Sequence, residues 1–100
     1  MQLPKSIRVG ETRYPVVQPY MLIPPDRAGS VTYGQTIRVA FKIRTGGRST
    51  ARSERQRSET FWHEVTHAIL HDMGSKLEAN EQFVTAFSKR LNDAIHSAKF

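Results

Sequence analysis

The clearest alternation of apolar and polar positions runs over residues 36–44. Every second residue is apolar, and the residues between them are basic or small. The apolar set is Ile37, Val39, Phe41 and Ile43, and the intervening set is Arg38, Ala40, Lys42 and Arg44. Because successive side chains of a strand point to opposite faces, this pattern predicts one strand with the first set buried.

Shorter strands are predicted ahead of this one. Residues 6–9 and 12–17 are separated by a Gly-Glu turn, which favours a hairpin. Pro15 cannot donate to a ladder, so its strand is expected at a sheet edge or irregular there. Residues 24–29, with two prolines, an aspartate and a glycine, have the composition of a loop. Residues 31–33 predict a short strand that Gly34 closes.

The period changes to that of a helix after the glycines at 46–47. Ser53 with Gln56 three residues later predicts a capping box, and the helix is expected to run to about Met73 with Gly74 as its stop. Its apolar face comprises Phe61, Trp62, Val65, Ala68, Ile69 and Met73.

A second amphipathic helix is predicted after residues 75–76. Its main buried line is expected to comprise Leu77, Val84, Phe87, Leu91 and Ile95. Strands followed by two long helices indicate an α+β fold, with an antiparallel or mixed sheet of about three to four strands. A chain of 100 residues predicts a single domain over residues 1–100.

Composition narrows the chemistry. The chain has no cysteine, which excludes disulfides and thiolate metal sites and leaves His, Asp and Glu as metal ligands. The N-terminus lacks the apolar core of a signal peptide, and no segment approaches the roughly 18 apolar residues of a membrane span. These features predict a cytoplasmic protein with no membrane partner.

The charge is uneven along the chain. The formal net charge is +6, with 11 Lys/Arg against 4 Asp/Glu in residues 1–60 and 4 against 5 in residues 61–100. The densest basic stretch, residues 42–57, favours acidic partners such as nucleic acid or a DNA-associated protein. The same residues also suit a solvated loop and first helical turn, since no aromatics alternate with the arginines.

The candidate chemistry lies in the first helix, at His63, Glu64 and His67. Two histidines four residues apart are separated by about 40° of rotation, so both imidazoles can meet one ion. Zn²⁺ held by three protein ligands keeps a fourth position for water, whose pKa falls toward ~7. Glu64 is placed to take the proton of that water as it attacks a carbonyl. The alternative is two structural histidines and a solvated carboxylate on a helix flank.

A third ligand has four candidates, His71, Asp72, Glu78 and Glu81. A straight helix carries His71 away from an ion centred on the first two histidines, and Asp72 is on the same helix with a short side chain. Glu78 and Glu81 belong to the second helix, which can pack back across the first. The longer H-E-x-x-H-x-x-G-x-x-H pattern is excluded because Leu70 and Met73 occupy its glycine and histidine positions.

Over residues 30–95 the chain resembles the minimal gluzincins, zincin-like metallopeptidases, and in particular phage-encoded relatives of the ImmA/IrrE and SprT-like groups. The resemblance is carried by Tyr33 and Gly34, the strand at 37–43, residues 60–71 and Glu81. It implies a zincin-like fold and one Zn²⁺ per chain.

The same resemblance implies His63, His67 and Glu81 as zinc ligands and Glu64 as general base. Thr66 departs from the glycine common in the ImmA/IrrE group, and no histidine stands at the third-ligand position of the SprT-like group. Neither group's substrate is therefore carried over to this chain.

The leading functional prediction is a zinc peptidase in the cytoplasm, or in the host cytoplasm for a phage-encoded protein. A peptide would be added to an edge strand, for which residues 39–43 are the candidate. Tyr33, His71 or an arginine would stabilise the oxyanion. The alternatives are a non-catalytic zinc-binding interaction protein on the same scaffold and a basic nucleic-acid-associated protein.

Overall fold

A computed structural model describes residues 2–100 and confirms the α+β class. Six strands precede two helices that are joined by a short 3-10 turn at Lys76–Ala79. The elements are β1 (Ser6–Val9), β2 (Thr12–Val17), β3 (Gly29–Thr32), β4 (Thr36–Val39), β5 (Lys42–Thr45), β6 (Arg48–Ala51), α1 (Glu54–Asp72) and α2 (Glu81–Ser97).

The four-stranded sheet has the order β1-β2-β4-β3. The predicted hairpin is confirmed, since β1 pairs antiparallel with β2, while β2 and β4 are parallel and β4 and β3 antiparallel. The expected edge position of Pro15 is wrong, because β2 lies between β1 and β4. The ladder between β2 and β4 covers only Val16 and Val17, so Pro15 precedes it and interrupts no bond to β4.

The prediction of one strand over residues 36–44 is wrong. β4 ends at Val39, and the backbone N–H groups of Ala40 and Phe41 donate to the carbonyls of Ala28 and Pro19 in the preceding loop. The chain therefore leaves the sheet, and Phe41 is exposed rather than buried. The following residues form a separate hairpin, β5-β6, whose turn uses the positive φ of Gly46 and Gly47.

The free edge of the sheet next to α1 is consequently β3 and not residues 39–43. β4 is covered by β3 on one side and β2 on the other. The short strand expected at 31–33 begins earlier, at Gly29, and Tyr33 lies in the turn between β3 and β4. The position of this edge decides which backbone groups face the candidate site.

Helix α1 begins as predicted. Ser53 accepts a hydrogen bond from the Gln56 backbone and donates its own N–H to the Gln56 side chain, which forms the capping box. Phe61, Val65 and Ala68 are buried against the sheet, in a core with Tyr14, Ile37 and Val39. The expected burial of Ile69 and Met73 is wrong: Met73 is 69% exposed, and Leu70 is buried instead.

The buried line expected for helix α2 is correct at Val84, half-buried at Leu91 and Ile95, and wrong at Leu77 and Phe87. Its buried residues are Val84, Ser88 and Asn92, whereas Phe87 is 47% exposed and Leu77 is exposed in the 3-10 turn. The hydroxyl of Ser58 on α1 donates to Asn92 Oδ1 at 2.8 Å, so a polar contact holds the two helices together. Phe83 and Phe87 stack on each other on the outer side.

No helix in residues 2–100 is long and apolar enough to cross a membrane.

Candidate metal centre

Two helices bring His63, His67 and Glu81 together. The Glu81 carboxylate lies between the imidazoles, with Oε2 3.2 Å from His63 Nε2 and Oε1 2.6 Å from His67 Nε2. One donor atom from each residue lies within 4.8 Å of the other two. Within residues 2–100, no other group of three or more His, Asp or Glu side chains is arranged in this way.

Local structure explains this convergence. His63 and His67 are one turn apart on α1, and their ring centroids are 5.0 Å apart. Glu81 is the first residue of α2, and the preceding Asn80 caps that helix by accepting from the Phe83 N–H. The 3-10 turn and this cap set where α2 begins, and Glu81 therefore points back at α1.

Glu78 supports the site without joining the three donors. Its backbone carbonyl oxygen lies 3.0 Å from His67 Nδ1, within hydrogen-bond distance, and His67 Nε2 faces Glu81. A proton on Nδ1 would leave Nε2 free to bind a metal. The carboxylate of Glu78 accepts from the Tyr33 hydroxyl. Glu78 and Glu81 therefore have different positions, and Glu81 is the carboxylate that faces both imidazoles.

The three side chains fit a tetrahedral zinc ion. Two donors bound to zinc at about 2.0–2.1 Å lie about 3.4 Å apart in that geometry. One donor atom from each of the three residues lies within 4.8 Å of the other two, and this spacing is compatible with one shared ion. Two nitrogen donors and one carboxylate also match the chemical preference of zinc.

Glu64 is buried beside this cluster. Only 8% of the surface of Glu64 is exposed, and this burial raises the pKa of its carboxyl to about 7. The charges of His67 and Arg27 oppose this rise in pKa, and the charge of Glu81 adds to it. Burial also lowers the pKa of His63, which favours the neutral imidazole that a metal requires.

An open cleft of about 440 Å³ leads to the cluster. One wall is the edge strand β3, and the other is α1 with the start of α2. The lining residues outside the cluster are Arg27, Gly29, Ser30, Val31 and Tyr33. A second cleft of about 410 Å³ adjoins the first, and His63 and Glu64 line both clefts. Space therefore extends in two directions from Glu64, as an extended ligand would need.

Gly29 allows β3 to approach α1 closely. A Cβ at this position would lie 2.4 Å from Thr60 Cγ2 and 3.2 Å from Glu64 Oε2. The first distance is shorter than van der Waals contact allows, so a larger residue would push the strand away from Glu64.

The remaining sequence candidates lie outside the cluster. His71 is exposed and stacks on the Tyr33 ring at 3.9 Å, and the exposed Asp72 lies against Gly10. Of the groups considered for an oxyanion, Tyr33 lines the cleft, but its hydroxyl is already bonded to Glu78. Its pKa is raised, mainly by burial and by Glu78.

Arg27 is the arginine that lines the cleft, and the sequence analysis did not identify it. The same holds for Gly29 and Ser30. Arg27 and Gly29 belong to the stretch at 24–29 that was predicted to be a loop, and Ser30 follows it. The composition of this loop does not reveal which end of the sheet it crosses.

Comparisons of the chain with known protein families, with curated proteins and with solved structures find no match. The resemblance to zincin-like metallopeptidases therefore rests on the motif residues and stays a prediction.

Proposed function

We propose that the protein is a zinc-dependent peptidase. The observation that supports this most is the position of the buried Glu64, next to a His63–His67–Glu81 cluster that opens into a cleft. A metal-binding protein without catalysis needs the cluster, but it does not need a desolvated carboxylate at the mouth of the same cleft.

In this proposal His63, His67 and Glu81 hold one Zn²⁺. Zinc bound there would supply a Lewis acid and would acidify a water molecule. Glu64 would act as the general base that takes a proton from the attacking water and passes it to the leaving amine. The Glu78 carbonyl would accept the Nδ1–H of His67 and so hold the tautomer whose Nε2 can bind the ion. Arg27 is the cationic side chain in the cleft that is available to the developing oxyanion.

The substrate in this proposal is an extended peptide added to β3. The strand lies at the end of the sheet, and its residues Gly29, Ser30 and Val31 line the cleft beside Glu64. Backbone pairing with such an edge would hold the peptide without demanding a particular sequence. The cytoplasmic location and the zincin-like ancestry remain part of this proposal.

A second candidate function is binding to an acidic partner, nucleic acid or a DNA-associated protein. The specific observation is the β5-β6 hairpin, a two-stranded element outside the main sheet that carries Lys42, Arg44 and Arg48. Lys42 already lies over the Tyr20 ring, and the neighbouring Arg57 of α1 lies over the Phe41 ring. This interaction is compatible with a peptidase and also with a zinc-bearing protein that acts by docking.

Cleavage of an unfolded protein tests the main proposal. Zinc-loaded wild type should cut reduced, denatured casein, and chelation should stop the cutting. Glu64→Gln should bind zinc as the wild type does and lose at least about a hundredfold in rate, because the water loses its base. Asp72→Asn, an exposed carboxylate on the same helix, is the matched control. Equal rates for wild type and Glu64→Gln would reject the peptidase and favour the docking role.

A further inference from the structure

A further cavity lies on the face of the sheet opposite α1. It is open to solvent, has a volume of about 370 Å³ and lies between the loop after β2 and the outward side chains of β3 and β4. We call it the outer pocket, and its lining residues are Pro19, Met21, Leu22, Ile23, Arg27, Ser30 and Arg38. The register supports this placement: Ser30 pairs with Arg38, whereas the adjacent Val31 pairs with the fully buried Ile37 on the α1 face.

The outer pocket is continuous with the cleft at the metal centre. Arg27 and Ser30 line both, so the two cavities meet at the free edge of β3. A peptide paired with that edge would point alternate side chains to the two faces of the sheet. One set would face Glu64 and the cluster, and the residues between them would face the outer pocket. The second set needs a binding site, and this cavity lies where it would project.

The lining of the outer pocket combines apolar side chains with unpaired cations. Ile23 is 96% exposed, and Met21 and Leu22 are half-buried beside it. Within residues 2–100, neither Arg27 nor Arg38 forms an ion pair, whereas the exposed Arg55 pairs with Asp93. An apolar surface next to two free guanidinium groups complements an apolar side chain with a carboxylate nearby.

We infer that the outer pocket is a side-chain subsite that selects an extended peptide with an apolar residue and an acidic residue two positions apart. Two positions along a strand span about 6.7 Å, which lets both side chains reach the same face. The apolar side chain contacts Met21, Leu22 and Ile23, and the carboxylate contacts Arg38. This inference rests on the proposed function for the pairing of an extended peptide with β3.

Peptide binding to the zinc-loaded Glu64→Gln protein tests the subsite without requiring turnover. The probes are short fluorescein-labelled peptides with Leu and Glu two apart, Leu and Lys two apart, or Ser and Glu two apart, in an otherwise identical Thr-rich sequence. The Leu and Glu probe should bind at least about fivefold more tightly than either of the others, since each lacks one contact.

Two variants assign the contacts. Arg38→Glu should weaken the Leu and Glu probe about tenfold and make the Leu and Lys probe the preferred one. Ile23→Ser should reduce the advantage of Leu over Ser.

Two matched controls should change neither preference. Arg8→Glu reverses a charge on the same sheet face but in the opposite edge strand. Met73→Ser replaces an exposed apolar residue at the end of α1. Arg38→Gln serves if the charge reversal disturbs folding, which circular dichroism checks.

The outcomes separate the subsite from the peptidase. Casein cleavage with no preference among the three probes overturns the subsite alone. A clear preference that Arg38→Glu reverses, with no cleavage by wild type, supports the subsite and overturns hydrolysis. Self-association of the wild type that Ile23→Ser abolishes would assign the pocket to a second copy of the chain and overturn the peptide subsite.

Discussion

Glu64 combines two properties that seldom occur together in a surface cleft. It is buried, with a carboxyl whose pKa is raised to about 7, and it lies beside a cluster suited to a cation. Burial is the first cause of the raised pKa, so the charged form of Glu64 is unfavourable while no ion is bound. A bound cation would offset this cost by favouring the charged form of Glu64.

This cost predicts a pH-dependent stability for the metal-free protein. Folded Glu64 keeps its proton up to about pH 7, whereas the unfolded chain releases it near pH 4.5. The unfolded state therefore binds fewer protons in this interval, and stability falls as pH rises through it. From pH 5 to pH 8, the free energy of unfolding of Glu64→Gln should rise relative to wild type by about 2 kcal/mol.

Urea unfolding in the presence of a chelator measures this difference. Asp72→Asn controls for the loss of a carboxylate from α1. A difference between Glu64→Gln and wild type that is the same at both pH values would show that burial does not act on Glu64 as described.

The two glutamates near His67 should differ in their effect on zinc affinity. Glu81 faces both imidazoles, whereas the side chain of Glu78 lies 3.9 Å from His67 Nδ1 and is bonded to Tyr33. Glu81→Gln should weaken zinc binding by more than about a hundredfold, and Glu78→Gln by less than about tenfold, because its backbone carbonyl still orients His67. Competition with a fluorescent chelator measures both, and a reversed order would assign the third ligand to Glu78.

At the residue scale, the predictable part of the site is the part that one helix defines. The spacing of His63 and His67 fixes their common direction before any tertiary structure is known. The contribution of Glu81 depends on where α2 begins, which the Asn80 cap and the 3-10 turn decide. Arg27 and the Glu78 carbonyl could not be predicted, since a loop path and a backbone contact leave no pattern in residue types.

Among the elements, β3 determines access to the centre. Its position at the sheet edge, together with the absence of a side chain at Gly29, sets the width of the cleft beside Glu64. The pattern over residues 36–44 suggested a different edge because its alternation continued past Val39. The alternation of apolar and polar residues shows which side chains could be buried on one face of a strand, but it does not show where the strand ends. Here the backbone N–H groups of Ala40 and Phe41 bond to the preceding loop, and the chain leaves the sheet.

Gly29→Ala should separate β3 from α1. The added Cβ would meet Thr60 Cγ2 at 2.4 Å, so we expect a loss of about 1–3 kcal/mol in stability and reduced cleavage, with zinc affinity unchanged. Adding Thr60→Ser removes the clashing methyl group but keeps the hydroxyl that accepts from Arg52, and it should restore both properties. Thermal unfolding and casein cleavage measure the two effects. No recovery in the double variant would show that the close approach at Thr60 is not the reason for glycine.

The apolar pattern of helix α2 did not reveal all of its buried residues. Its period was recognised, but the buried line passes through Ser88 and Asn92 instead of Phe87. A small polar side chain can be buried where it has a hydrogen-bond partner. The partner of Asn92 is Ser58, which lies on α1 and is not visible in the sequence pattern of α2. The amphipathic pattern of α2 therefore predicted the helix and the burial of Val84 correctly, but not the burial of Ser88 and Asn92 in place of Phe87.

For the whole molecule, zinc would link α1 to the start of α2. Because the ligands come from both helices, the ion should bind the folded state and not the unfolded chain. Free zinc at about a thousand times its Kd should add about 4 kcal/mol to the free energy of unfolding. Differential scanning fluorimetry with and without zinc should show a large upward shift in Tm for wild type and a small one for Glu81→Gln. Equal shifts in the two proteins would place the zinc elsewhere.

The crystal structure of the zinc-loaded protein, with anomalous scattering recorded at the zinc edge, is the most direct test of the metal centre. We expect one strong peak per chain at about 2.0–2.2 Å from His63 Nε2, His67 Nε2 and a Glu81 carboxylate oxygen, with the fourth position open toward Glu64. A peak bound by Glu78 or His71 in place of Glu81, or no peak at these histidines, would contradict this expectation.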